Sequence, residues 1–116
     1  MVRDTRPIGW VRAARKAFLA FPADVQDEMA DALTIAAEGG KADIAKPMQG
    51  LGAGVMEIAL PYRGDAYRAV YVTEIAGSLW VVHAFQKKSR TGIKTPRHEI
   101  DLIRDRIRRL RWELAP

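Results

Sequence analysis

From His83 to Pro96 the chain reads His-Ala-Phe-Gln-Lys-Lys-Ser-Arg-Thr-Gly-Ile-Lys-Thr-Pro, and Lys87, Lys88, Arg90 and Lys94 put four cations into eight residues. Lysine and arginine hold phosphate by charge, and arginine adds a planar fork of donors. The backbone N–H groups at the start of a following helix favour anions as well. A strand that feeds such a loop into such a helix could grip a phosphodiester from three directions. A solvated basic loop has the same composition, and charge alone does not separate the two.

Arg68 is the second candidate. It lies inside an apolar strand pattern, between Tyr67 and Ala69 and in phase with Val70 and Val72. A charge there is costly unless it is paired or faces a cleft, or unless the side chain snorkels across a half-exposed sheet. Arg63 and Lys46 could extend a basic surface from loops on either side. His83 has the chemistry of a general base, but a strand histidine is more often packed and hydrogen-bonded. His98 falls in the first turn of the last helix, close enough to the basic loop to contact a substrate. Two histidines this far apart, with no carboxylate pattern beside them, do not make a metal site, and no cofactor is expected. Gly50-Leu51-Gly52-Ala53-Gly54 leads into a strand and lacks the lysine and hydroxyl residue of a phosphate loop, so a turn is the expectation. Trp10, Trp80 and Trp112 could stack on bases. Trp80 reads as core, whereas Trp112 falls off the apolar stripe of its helix and suits a partner surface.

These groups belong to a chain of 116 residues, enough for one domain and too short for two. The hydrophobic and charged fractions, 48% and 28%, are those of an ordinary globular protein. There is no cysteine, which removes disulfides, thiolate metal sites and a thiol nucleophile and suits a reducing cytoplasm. The net charge of +5 favours a phosphate-bearing partner, although an acidic protein or an anionic membrane would respond to the same charge. No apolar run is long enough for a membrane span, and the stretch from Met1 to Ala23 lacks the apolar core of a signal peptide.

The pattern along the chain predicts the elements that must position the cations. Arg6 to Val11 reads as a short strand, with Pro7 indicating a sheet edge. Val11, Ala14 and Phe18 recur at helical spacing. Phe21-Pro22 breaks the chain and opens a second helix with the stripe Val25, Met29, Leu33 and Ala36, closed by Gly39-Gly40. Lys41 to Ala53 reads as a loop. From Gly54 the period becomes two, with Met56, Ile58 and Leu60 on one face. Arg63-Gly64-Asp65 and Ala76-Gly77-Ser78 mark hairpin turns, so three strands should form an antiparallel meander: one from Gly54, then Ala66 to Thr73 and Leu79 to Gln86. After the basic loop, Thr95 reads as an N-cap with Pro96 in the first helical position. Ile100, Ile103, Ile107, Leu110 and Leu114 form the buried stripe of the last helix, and Asp101 and Asp105 can pair with arginines three or four places on. The order is (β)ααβββα, an α+β domain.

Several of these segments together resemble one family. Val82-His83-Ala84-Phe85-Gln86-Lys87-Lys88, followed by Gly92-Ile93-Lys94-Thr95-Pro96, resembles the signature of phage-derived HigB-like toxins within the RelE/ParE superfamily. Tyr67-Arg68-Ala69-Val70-Tyr71 looks like that family's central strand. Lys46-Pro47-Met48-Gln49-Gly50-Leu51-Gly52 resembles its Lys-Pro-Leu-Lys-Gly-x-Gly loop, and Phe21-Pro22 its interhelical break. The similarity runs from about Arg6 to Leu110.

The resemblance implies a RelE-like fold, with two N-terminal helices against an antiparallel sheet and a last helix beside the active cleft. It implies the toxin of a type II toxin–antitoxin pair in the cytoplasm, held by a separate helix-turn-helix antitoxin. The activity implied is metal-independent cleavage of messenger RNA, commonly at the ribosome. Carried over by motif, the catalytic cations are Arg68, Lys87 and Lys88, with Arg90 close behind; the basic surface read from the residues adds Lys46, Arg63, Lys94 and His98 as substrate-binding groups. The tyrosine that several relatives place near the final helix has no counterpart after Tyr71, so that role is vacant or passes to a group such as His98. Two other readings remain open: a poison of DNA gyrase that cuts nothing, and a non-catalytic nucleic-acid-binding module.

Overall fold

The computed structural model describes residues 5–88 and 95–116. The elements in chain order are β1 (Ile8–Trp10), α1 (Arg12–Leu19), α2 (Ala23–Ala37), β2 (Ala45–Pro47), β3 (Val55–Tyr62), β4 (Asp65–Ile75), β5 (Ser78–Lys88) and α3 (Arg97–Glu113). They build a five-stranded sheet in the order β1-β5-β4-β3-β2. The domain is α+β and centres on the expected meander.

The two hairpins follow from backbone chirality. Arg63 and Gly64 have φ of 52° and 86°, and Ala76 and Gly77 have φ of 52° and 86°. Two successive positive φ values make the tight turn whose twist matches that of paired strands. Tyr62 therefore stands opposite Asp65, and Ile75 opposite Ser78. The left-handed conformation strains Arg63 and Ala76, whereas glycine adopts it freely.

The strands depart from the expected outline in three places. β5 runs on to Lys88, so Lys87 and Lys88, expected in the basic loop, belong to the strand, because they pair with Ala66 and Asp65 of β4. β1 lies at an edge, as Pro7 indicated, but it runs parallel to β5, with Gly9 opposite Trp80. The segment expected to be a loop from Lys41 to Ala53 contains β2, which pairs antiparallel with β3 over Ala45–Pro47. Three residues carry too little periodicity to register in a sequence.

The sheet is covered on both faces. Met56, Ile58 and Leu60 share one face as predicted and pack with Phe18, Val25, Met29 and Leu33 of α1 and α2. Val55, Val70, Val72 and Val82 face the other way, against Ile103, Ile107 and Leu110 of α3. Ile100 is half-buried, and Leu114 lies just past the helix as its C-cap and is exposed, which shortens the predicted stripe at both ends. Asp101 pairs with Arg104 and Asp105 with Arg109 along the outer face of α3, as the spacing predicted. Gly9 lies flat under the Trp80 ring, where a Cβ would come within 2.8 Å of the indole. Among the described helices none is long and apolar enough to cross a membrane.

Candidate active site

Strand register decides which cations meet. Lys46 stands opposite Glu57, Glu57 opposite Val70, and Val70 opposite His83, a row across four strands. In the next rows Arg68 stands opposite Phe85, and Ala66 opposite Lys87. Alternate residues of a strand share a face. Lys46, Glu57, Arg68, His83, Phe85 and Lys87 therefore all belong to the face that α3 covers.

Arg68 is buried, and its Nη1 donates to Glu57 Oε1 at 2.8 Å. The two side chains are only 8% and 4% exposed. A charge in mid-strand is tolerated here because it is paired. The other Glu57 oxygen, Oε2, accepts from the Thr95 hydroxyl at 2.9 Å. This corrects the expected N-cap: α3 begins one residue later, with Pro96 as its N-cap and no side-chain capping bond. The threonine hydroxyl is spent on a buried carboxylate, a stronger acceptor relation than a neutral cap.

A second carboxylate works in the same way. His83 Nε2 lies 3.1 Å from Glu99 Oε2, and His98 Nε2 lies 3.4 Å from Glu99 Oε1. Arg106 donates from Nη1 to the Val82 carbonyl at 3.0 Å and to His83 Nδ1 at 3.1 Å. A guanidinium has only donors, so Nδ1 must accept. The His83 proton then sits on Nε2 and is donated to Glu99. Burial pushes the His83 pKa down, against the opposing pull of Glu99, and burial also lowers that of Arg106. His83 stacks on Phe85 with ring centroids 5.0 Å apart. It is a packed, hydrogen-bonded histidine.

His98 differs: its side chain is 80% exposed. It lines a cleft of about 340 Å³ together with Phe85, Gln86, Lys87, Pro96 and Glu99. Lys87 and His98 thus reach one cavity from opposite sides, beside the strand pair that carries Arg68. Lys46 is exposed on the same sheet face. Arg63 is not part of this group. It sits in the β3–β4 turn with its guanidinium 5.2 Å from the ring centre of Tyr62. Tyr62 packs toward α2, where its hydroxyl meets Asp24. The expected site residues Arg90 and Lys94 lie outside the described residues, as does the side chain of Lys88. A larger cleft of about 520 Å³ runs along the C-terminal half of α3 between Trp10, Trp80 and Leu110, and it contains none of the expected site residues. Trp80, expected in the core, is only half-buried at the edge of the α3 cluster because one side of it faces this cleft, and Trp112 is 83% exposed, as its position off the apolar stripe suggested.

Glu57, Glu99 and Arg106 were not anticipated. The signal for Glu57 was available: it interrupts the apolar strand run between Met56 and Ile58, out of phase with them, like Arg68 among its own neighbours. Glu99 and Arg106 lie seven residues apart on one side of a helix, beside Ile103.

The fold with this cleft defines a class. The chain is similar to a solved structure of an arginine-to-alanine double mutant of the E. coli toxin RelE in the free state, over 90% of this chain and 97% of the other, with a TM-score of 0.61 and 14% identity. The chain has the RelE fold. A family profile described as "phage derived protein Gp49-like" matches residues 16–108. The chain belongs to that phage-derived Gp49-like family. No curated protein matches it.

Proposed function

We propose that this chain is the toxin of a type II toxin–antitoxin pair and acts as a metal-independent endoribonuclease on messenger RNA, with the ribosome presenting the substrate. The observation that carries the reading is the placement of Lys87 and His98 on one open cleft, with Arg68 on the same sheet face. In the reaction the ribose 2′-oxygen attacks the adjacent phosphorus and the bond to the 5′-oxygen breaks. The products are a 2′,3′-cyclic phosphate and a 5′-hydroxyl. The nucleophile belongs to the RNA, so the protein has to orient it, stabilise the phosphorane and move two protons. Lys87 and Arg68 offset the negative charge, with Lys88, the last residue of β5, and Arg90 supplying more. His98 carries the proton traffic, the task left vacant by the missing tyrosine. Lys46 and Lys94 hold flanking phosphates, and a separate helix-turn-helix antitoxin neutralises the toxin in the cytoplasm. Arg63, turned toward Tyr62, has no role in this scheme.

The test is controlled expression in a bacterial host of the wild type, Lys87→Ala and His98→Ala, followed by mapping of transcript 5′ ends. The wild type should arrest growth and create new 5′-hydroxyl ends inside reading frames. The variants should lower cleavage by about 100-fold or more, the scale of general acid–base and charge-stabilising groups. Growth arrest with intact transcripts and a DNA-damage response would instead favour the gyrase-poison reading.

A further inference from the structure

We infer that Glu57 is a positioning residue for the nuclease site, holding the Arg68 guanidinium in the orientation that the scissile phosphate requires; the inference rests on the reading just given. The carboxylate is 4% exposed and uses both oxygens, one on Arg68 at 2.8 Å and one on Thr95 at 2.9 Å. Thr95 is the residue from which the chain turns into α3. One buried group therefore joins the central strand to the doorway of the last helix. Lys87 leaves β5 on that same sheet face, two residues beyond Phe85, the cross-strand neighbour of Arg68.

A negative charge beside an anion-binding arginine weakens the pull on phosphate, so charge alone would select against it. Stability gives no reason for it either, because a buried ion pair is at best equivalent to apolar residues of the same volume. What the pair does supply is direction. A guanidinium tied to a fixed carboxylate is limited in the directions its other donors can take, and a planar fork misaligned by a fraction of an ångström loses its grip. Glu57 acts through Arg68 and does not touch the RNA. Its loss should appear in turnover more than in substrate binding, which Lys46, Lys87 and the other cations share.

The experiment compares mRNA cleavage on translating ribosomes by purified wild type, Glu57→Gln, Arg68→Lys and the double variant, all confirmed folded by circular dichroism at the assay temperature. Glu57→Gln keeps the shape and an acceptor oxygen. Its kcat should fall about 10- to 100-fold, the scale of a small misplacement at a reacting centre, while KM stays within about threefold. In the Arg68→Lys background the same change should add little, because the two residues act as one unit. In nitrogen-labelled protein the wild-type Arg68 side-chain resonances should be separate and sharp, and Glu57→Gln should merge them as the guanidinium rotates. A folded Glu57→Gln with wild-type kcat overturns this inference while leaving the nuclease reading intact. Equal losses in both backgrounds overturn it too, by making the effect general. A wild type that cuts no transcript overturns both.

Discussion

Replacing Arg68 with alanine removes the ionic partner of a carboxylate that has no water to fall back on. Both side chains are nearly sealed, at 8% and 4% exposure, and among the described residues the Thr95 hydroxyl is the partner left to Glu57. Breaking a buried pair from one side costs about 3–5 kcal/mol. The surviving Thr95 bond argues for the lower end, about 3 kcal/mol. At about 4 °C per kcal/mol for a domain of this size, the melting temperature should fall by about 12 °C. Replacing both partners, Glu57→Met with Arg68→Met, leaves no stranded charge and should bring stability back to within about 1 kcal/mol of wild type. Urea unfolding followed by circular dichroism, with equal slopes across the variants, measures both effects. The reasoning is refuted if Arg68→Ala costs less than about 1 kcal/mol, which would mean that water reaches Glu57, or if the double variant falls as far as the single one. The comparison also bears on activity: a loss of toxicity in Arg68→Ala mixes unfolding with chemistry, whereas a stable, inactive double variant isolates the chemistry.

Two further outcomes follow from the same structure. Burial holds the His83 pKa below its ordinary value, so between that lowered value and about 6.5 the unfolded chain binds the proton that the folded chain refuses. This contribution to stability is therefore full above about pH 6.5 and declines as the pH drops; denaturation midpoints at pH 7.5 and 5.5 should differ less in His83→Gln than in wild type. Gly9→Ala would drive a methyl group to 2.8 Å from the Trp80 ring, forcing β1 or the indole aside at a cost of about 1–3 kcal/mol, visible as a lower urea midpoint and an altered near-ultraviolet tryptophan signal.

The distribution of roles on α3 shows how much one helix can combine. Its inner stripe of Ile103, Ile107 and Leu110 closes one core. Its first turn supplies His98 and Glu99 to the cleft, and Arg106, one turn past Ile103, reaches back to β5. Displacement of α3 would therefore dismantle the cleft and expose apolar sheet at the same time, because the same helix carries both.

Local chemistry in the sequence was sufficient for most features that depend on neighbours in the chain. Apolar periodicity separated Met56, Ile58 and Leu60 from the opposite face, glycine marked both hairpins, and Phe21-Pro22 divided α1 from α2. Periodicity also showed that Arg68 needed a partner or a cleft. The identity of that partner depends on pairing between strands. Lys46, Glu57, Arg68 and Lys87 come from four strands and share a face only through the register of the sheet. The parallel β1, the three-residue β2 and the diversion of Thr95 from cap to carboxylate ligand are likewise long-range choices. A backbone or side-chain donor takes the strongest acceptor within reach, and which acceptor is within reach is settled only when distant segments pack together.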